Sequence, residues 1–522
     1  MSVSEQAQPR RRSATALRGL VFLILVLLAT AVIVSQQRGS GAYLAEFSAA
    51  DPDEARHFVA GLMVADHARA GLPPPGPFAE QYRLHVPTAP EPARLSLFHV
   101  VSGGWMLALT PATPAVLLLP ALLVALLAVC AGWGTLPATG PLPAVAVGAV
   151  LSALPLLREA AFVVGLELPL ALLGLLAALG LARILRRNRG VVAFALPAGA
   201  AILTAPAGAA LLLLPPLAAL MGGRALPVRR PMLAALAVLG ALALAVNGIA
   251  GARPEPDVPG LIAAGQTLRS SLGLLLAVCA GAGFLFAIWS GWRGEPEGRA
   301  MVPVAALLPA ACCALALGAG RGEPLDALVL LAPALMLSAF GALRLIGLIA
   351  SGWTLIGGLA VAFVFLLAAM PSLLEPVRKR AIGMDGAAEA FLARDAAPPV
   401  AVVAAAPPGD AAFAAAVAQR DRAARSFVVP AGTRDAAAFA ALLDQTGATA
   451  LVVESRPGAN PSPTSASALA ALAATPERFA LIGTFPRADG QGEVGLYAVR
   501  PPPTAPQDPT EAIRALAHRP GG

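Results

Sequence analysis

Charge is what this 522-residue chain has least of: Asp, Glu, Lys and Arg make up only 13% of it, against 57% hydrophobic residues and a mean hydropathy of +0.73. A soluble chain of this length could not carry that composition without exposing a great deal of apolar surface, so a polytopic membrane protein is expected. Lysine is nearly missing, with Lys379 among a majority of arginines, and the heavy use of Ala, Gly, Pro and Arg suggests a GC-rich bacterial genome. The net charge of +7 comes from basic residues set between apolar runs. They form no nucleic-acid face, and no nucleic-acid partner is implied. The four cysteines, Cys130, Cys279, Cys312 and Cys313, all fall inside apolar segments. With none in the loops or the C-terminal region, a disulfide framework is excluded and they read as small core residues.

Residues 1–14 are polar and contain Arg10, Arg11 and Arg12, and an apolar run over 19–34 follows at once. A cleaved signal peptide is the alternative reading. An uncleaved first helix is favoured because many further spans follow and because the run, counted from Ala16, is long enough to cross a bilayer core. A polar excursion over 36–112 comes next. Apolar segments then recur near 113–133, 140–157, 161–182, 191–206, 207–222, 231–250, 270–290, 300–318, 325–345 and 353–371, about eleven spans with the first.

Basic loops orient these spans. With Arg10 to Arg12 inside, the connections holding Arg183, Arg186, Arg187 and Arg189, then Arg224, Arg229 and Arg230, then Arg293 and Arg299, fall inside too. The excursion 36–112, the loop 251–269 and the C-terminal region are then extracytoplasmic. Arg378, Lys379 and Arg380 run against this pattern, and late charges weigh less than early ones.

From Asp385 the pattern becomes that of a soluble domain. Strand-like 400–405, 426–429 and 448–453 alternate with helix-like 410–422 and 435–446, which builds a parallel sheet with covering helices. A helical run at 465–474 and strand candidates at 479–485 and 493–499 complete a small α/β domain of roughly 110 residues. It has no Gly-rich phosphate loop, no metal-ligand spacing and no His, so it reads as structural. The division is therefore a cytoplasmic N-terminus 1–14, a transmembrane domain 15–371 that includes the loop 36–112, an extracytoplasmic α/β domain 372–500, and a Pro-rich tail 501–522 expected to be disordered.

The densest polar cluster is Asp51-Pro52-Asp53-Glu54-Ala55-Arg56-His57, just after the first span. Asp51, Pro52 at the first helical position and Glu54 three residues on predict a capping-box-like helix start, with a stop at Gly71. Carboxylates in a first turn complement the helix dipole, which alone would account for them. Asp53 and His57 lie four apart on one helix face, in a loop that must fold back on the membrane surface, where ionisable groups are functional candidates.

A first span, a long external loop opening on this acidic motif, many further spans and a C-terminal extracytoplasmic domain resemble the GT-C glycosyltransferases, in particular bacterial relatives of the protein O-mannosyltransferases and the aminoarabinose transferases. The resemblance covers most of the chain. It is carried by Asp53-Glu54-Ala55-Arg56-His57 with Gly61-Leu62-Met63-Val64 behind, by His85-Val86-Pro87 and Leu97-Phe98-His99, and by Gly165-Leu166-Glu167-Leu168-Pro169-Leu170. It implies a sugar donor on polyprenyl phosphate, a hydroxyl acceptor on a glycan, lipid or protein, and Asp53 as the base that takes the hydroxyl proton. A single base suffices for an inverting displacement. Glu167 matches the family's second acidic residue, with Glu159 a weaker substitute, and its ordinary reading is an interfacial Glu offsetting Arg158. Glu54 is a supporting carboxylate, and His57, His85 and His99 would contact substrate.

The chain departs from that pattern. Thr88, Ala93 to Ser96, Thr204-Ala205 and Glu323 to Asp326 stand where cationic or aromatic residues are expected. A lipid phosphate still needs positive charge, and the external cations are Arg83, Arg94, Arg269 and Arg321, each also readable as an ordinary interfacial Arg. Asp, Glu and His in one loop leave a divalent cation open, although no spacing such as His-x-x-x-His occurs; His67 and His518 read as incidental. The expectation is a multi-pass GT-C-like transferase of the bacterial inner membrane. A non-catalytic scaffold in envelope assembly is the alternative, and a transporter is disfavoured because no charged broken-helix pattern repeats in the two halves.

Overall fold

The computed structural model describes residues 7–48, 51–91, 95–187, 190–223, 230–250, 258–316, 324–349, 354–374, 382–394, 399–406, 408–432, 435–455, 462–487, 492–500 and 509–517. In chain order the helices are α1 Ala7–Gly39, α2 Glu54–Arg69, α3 Pro75–His85, α4 Leu97–Ala108, α5 Thr113–Thr139, α6 Pro141–Ala153, α7 Pro155–Ala160, α8 Glu167–Arg187, α9 Val191–Thr204, α10 Leu214–Met221, α11 Arg230–Ala250, α12 Val258–Arg293, α13 Pro296–Ala314, α14 Leu328–Ile349, α15 Thr354–Leu374 and α16 Gly383–Leu392. Strands β1 Val400–Ala404, β2 Phe427–Pro430, β3 Ala450–Ser455, β4 Phe479–Pro486 and β5 Glu493–Val499 then interleave with α17 Gly409–Arg420, α18 Ala436–Thr446 and α19 Pro463–Ala474, and α20 Thr510–Ala517 ends the described chain. Two compact units result, both discontinuous in sequence. The first is Met1–Gln36, Pro120–Ala161 and Leu166–Val377; the second is Gln37–Leu119, Phe162–Gly165 and Arg378–Gly522.

The first unit is all helix, and each expected span meets an apolar helix. Six helices are long and apolar enough to cross a membrane by length and composition: Leu17–Gly39, Thr113–Thr139, Glu167–Arg187, Val258–Arg293, Pro296–Ala314 and Leu325–Ile349. Several of the others are shorter. The 14 residues of α9 rise about 21 Å, less than the ~30 Å of a hydrocarbon core. The chain is a polytopic α-helical membrane protein with a small C-terminal sheet.

Where lipid surrounds helices, small residues let backbones approach. A Cβ on Gly283 of α12 would meet the Leu337 carbonyl oxygen of α14 at 1.9 Å, and one on Gly341 of α14 would meet the Cys279 oxygen at 2.1 Å. Only glycine fits at this crossing. Beside it the Ser338 hydroxyl donates to the Leu276 carbonyl at 2.7 Å, giving a buried hydroxyl a partner. Helix α12 itself breaks at Gly273, whose φ of 73° and ψ of 164° lie in a region that essentially only glycine occupies.

The second unit is built on a five-stranded sheet of order β2-β1-β3-β5-β4. Strands β2, β1 and β3 are parallel, as their alternation with helices requires, and β1 is buried along its whole length. That is the parallel arrangement expected of these three strands; the sequence assigns no direction to the two later ones. Strand β5 runs antiparallel to both β3 and β4, because a short connection between β4 and β5 permits a hairpin and not a crossover.

Loop and sheet share one core. Leu84 of α3 packs with Val400, Val402, Phe427, Phe439 and Leu451, and Ile513 of α20 joins the same cluster. Residues expected to sit with the spans, 36–112, therefore pack with the C-terminal sheet. Part of the tail expected to be disordered is the helix α20; residues 501–508 and 518–522 lie outside the described residues. Polar ties reinforce the union. Gln419 Nε2 donates to the Pro111 carbonyl at 2.8 Å, Arg422 pairs with Asp66, and the guanidinium of Arg487 lies 2.8 Å from Glu46 and 2.5 Å from Glu454.

Candidate functional site

The acidic motif sits in the second unit at the start of α2, and the three carboxylates have different tasks. Asp53 is the N-cap of α2, without a side-chain cap bond. The helix therefore begins at Glu54, and the expected start at Asp51 with Glu54 folding back as a capping-box partner is not what forms. Asp51 instead accepts the Asp53 N–H through Oδ1 at 2.7 Å, a local Asx turn, and is 3% exposed. The side chain that serves the first turn comes from outside the motif: the Ser48 hydroxyl accepts the Ala55 N–H at 3.0 Å and donates to the Pro52 carbonyl at 3.1 Å.

Glu54 is fully buried. One oxygen accepts the Ser48 N–H at 2.9 Å and the other accepts the Val164 N–H at 3.2 Å. Through it the start of α2 holds the short segment Phe162–Gly165, which belongs to the same unit. Buried backbone donors need such partners, so Glu54 is a fastening carboxylate.

Asp53 is the accessible member. Its side chain is 15% exposed, and Oδ1 lies 3.2 Å from Nη1 of Arg56, itself 55% exposed. Asp410, in the first turn of α17, also feels the charge of Arg56. Burial raises the Asp410 carboxyl above its usual range, and the Ala411 N–H and Arg56 act the other way.

One turn into α2, His57 Nδ1 is 3.0 Å from His99 Nε2 of α4, with the rings stacked. Ser96 is the N-cap of α4 and His99 its N3 partner in a capping box, so the Ser96 N–H donates to His99 Nδ1 at 3.0 Å. That bond decides the tautomers. His99 accepts at Nδ1, carries its proton on Nε2 and donates it to His57 Nδ1, which leaves the proton of His57 on its own Nε2. Burial lowers His57 to about 4, with Arg56 adding to the effect. Burial lowers His99 to about 3, with His57 adding to it. Both rings are neutral at pH 7.

The remaining expected residues lie elsewhere. His85 is bonded through Nδ1 to the Ser426 carbonyl at 2.9 Å and stacks on Phe427 of β2. It ties α3 to the sheet. Arg83 faces Glu91 at 3.7 Å on the surface. Glu167 is the first residue of α8 and Arg269 is an exposed residue of α12 ahead of the Gly273 break, both in the first unit. Arg94 and Arg321 lie outside the described residues. Asp53, Glu54, His57 and His99 are thus brought together. Among the described residues, no group of three or more His, Cys, Asp or Glu is placed to hold a metal ion.

Ser48, Ser96 and Asp410 escaped the sequence reading. Ser96 carried a signal, since Ser followed three residues later by a side-chain acceptor is a helix-start pattern. Ser48 and Asp410 carried none, because their roles come from non-local folding.

Neither a family model nor a curated protein matches this sequence. Solved structures do. ArnT from Cupriavidus metallidurans bound to undecaprenyl phosphate is similar over 93% of this chain and 99% of its own, with a TM-score of 0.53 at 15% identity. The apo form of the same protein gives 0.50 at 12% identity, over 92% and 98%. The Archaeoglobus fulgidus oligosaccharyltransferase AglB, in complex with an inhibitory peptide and a dolichol-phosphate, gives 0.50 at 11% identity, over 83% and 69%. The chain shares the fold of these proteins, at sequence identities of 11–15%.

Proposed function

We propose that the protein is a membrane glycosyltransferase that moves a sugar from a polyprenyl-phosphate donor to a hydroxyl acceptor on the extracytoplasmic side of a bacterial inner membrane. The fold supports the reaction class, since two proteins that share it hold undecaprenyl phosphate or a dolichol-phosphate. The observation that carries the assignment of Asp53 is the division of labour at the start of α2. Asp51 and Glu54 are buried and spend oxygens on backbone N–H groups, while the Asp53 side chain is 15% exposed and pairs with Arg56.

An alcohol is a poor nucleophile until its proton is taken. In the proposed step Asp53 accepts that proton as the acceptor oxygen bonds to the anomeric carbon, the bond from that carbon to the phosphate oxygen breaks, and the polyprenyl phosphate leaves with the electron pair. Arg56, 3.2 Å away, aims the Asp53 carboxylate. The Nε2–H of neutral His57 is a hydrogen-bond donor for a sugar or acceptor oxygen. Glu167, Arg94, Arg269 and Arg321 keep the roles that the resemblance gives them, a second carboxylate and cations for the lipid phosphate.

Asp53→Asn tests the reading on purified protein with a radiolabelled lipid-phosphate sugar. Transfer is expected to fall by about 10²–10⁴-fold, the usual contribution of a positioned base, with the variant still folded. Wild-type rates in the variant would remove the base assignment. Failure of the wild type to bind any polyprenyl phosphate would favour a non-catalytic scaffold.

A further inference from the structure

At the end of α8 remote from Glu167, the first unit has an open cleft of about 640 Å³ lined by Arg18 of α1, Trp133 and Pro137 of α5, and Arg183, Arg186 and Arg187 of α8. The 21 residues of α8 separate its two ends by roughly 30 Å. The cleft is therefore distinct from any donor site near Glu167. Its chemistry is one-sided. Four exposed arginines rim a mainly apolar cleft walled by Leu136, Leu179 and Ala300, and no carboxylate is among its described lining residues. None of the four arginines has an ion-pair partner among the described residues. Trp133 also receives the edge of Phe22 from α1 at 5.8 Å between centroids, which joins the first helix to the cleft wall.

Like charges gathered at one rim repel, and an anion between them relieves that repulsion. Arginine suits a phosphate in particular, because its fork of donors matches two phosphate oxygens at once. Apolar walls and a lining tryptophan fit acyl chains and the interfacial region of a bilayer. We propose that this cleft binds the phosphodiester headgroup of an anionic phospholipid from the leaflet that faces the arginine-rich loops, with its acyl chains along Leu136 and Leu179. The lipid would couple α1, α5 and α8 at that end of the bundle.

Native mass spectrometry of the full-length protein in detergent tests this, with phosphatidylglycerol, cardiolipin, phosphatidylcholine or inorganic phosphate added. Both anionic lipids should be retained, and phosphatidylcholine and free phosphate should not. In R183Q/R186Q/R187Q the affinity for the anionic lipids should fall by roughly a hundredfold, at about fivefold per arginine, and R183K/R186K/R187K should recover most of it. If the glutamine variant fails to fold, the headgroup selectivity of the wild type and the single variant R18Q decide. Equal retention of phosphatidylcholine, unchanged anionic binding in R18Q, or free phosphate binding as tightly as lipid would each overturn the proposal. No outcome depends on sugar transfer.

Discussion

His57 and His99 form one hydrogen-bonded unit, Nδ1 to Nε2 at 3.0 Å, whose tautomers are fixed by the backbone N–H of Ser96. Sequence places these two rings 42 positions apart, and the packing of α2 on α4 brings them together. The close approach of the helices has a specific cause: a Cβ on Gly103 of α4 would meet the Gly61 carbonyl oxygen of α2 at 2.7 Å.

A pH dependence follows from that pair. Both folded-state values, about 4 for His57 and about 3 for His99, lie below the ordinary 6.5. The unfolded chain therefore binds protons first as pH falls, so the pair's contribution is fully present above about pH 6.5 and is lost as pH falls toward 4 and then 3. Protonation would also set two N–H donors face to face. The thermal unfolding midpoint in detergent should drop between about pH 7 and pH 4.5. That drop should be shallower in the double variant His57→Asn, His99→Gln, and an equal slope in the two proteins would show that other groups govern it.

Glu54 and Asp53 are neighbours with separable roles. In Glu54→Gln one carboxylate oxygen becomes an NH2 that must face either the Ser48 or the Val164 N–H, leaving a buried donor without an acceptor. The cost is about 1–3 kcal/mol, readable as a lowered melting temperature. Asp53→Asn weakens a partly exposed ion pair with Arg56, worth less than about 1 kcal/mol. The first variant should lose stability and activity together, and the second activity alone. Comparable melting losses in both would refute the division of roles.

Arg487 holds two carboxylates that are nearly inaccessible, Glu46 at 1% and Glu454 at 3% side-chain exposure. Burial raises Glu46 above its ordinary value, with Arg487 and the Met384 N–H opposing. Arg487→Gln should cost about 3–5 kcal/mol, because two buried charges lose their shared counter-ion. A carboxyl whose folded value is raised stabilises the fold below its unfolded value and loses that effect as pH rises through the folded value. The variant should therefore recover part of its deficit between about pH 7 and pH 5. A deficit that does not change with pH would argue against charge burial as its cause.

Composition and periodicity made much of this legible. Apolar runs located each of the six described helices that are long and apolar enough to cross a membrane, since a segment suited to hydrocarbon has few alternatives in residue type. The α/β alternation from β1 to β5 was equally readable, to within about two residues at most ends. What escaped is non-local. That β5 pairs with β3 antiparallel is a property of connection length, and that Ser48 caps α2 while Asp51 caps its own turn depends on how the chain enters the helix. Asp53 was found because it lies inside the motif, whereas the meeting of His57 with His99 and of Arg56 with Asp410 required three separate segments to pack. The least visible feature was the allegiance of the loop, because Leu84 looks like any leucine of a short amphipathic helix.

That allegiance gives the last prediction. Leu84, 5% exposed, and Ile513, 6% exposed, fill the sheet core from opposite ends of the chain. Leu84→Ala should cost about 2–5 kcal/mol, as a core leucine deletion does, and the damage should surface in the C-terminal sheet. Limited proteolysis would then cut within residues 399–500 of the variant at protease levels that spare the wild type. Ending the chain before Pro509 removes Ile513 and should open the same region. If the sheet were a domain independent of the loop, Leu84→Ala would leave its cleavage pattern unchanged, and the shared core would not be what holds the second unit together.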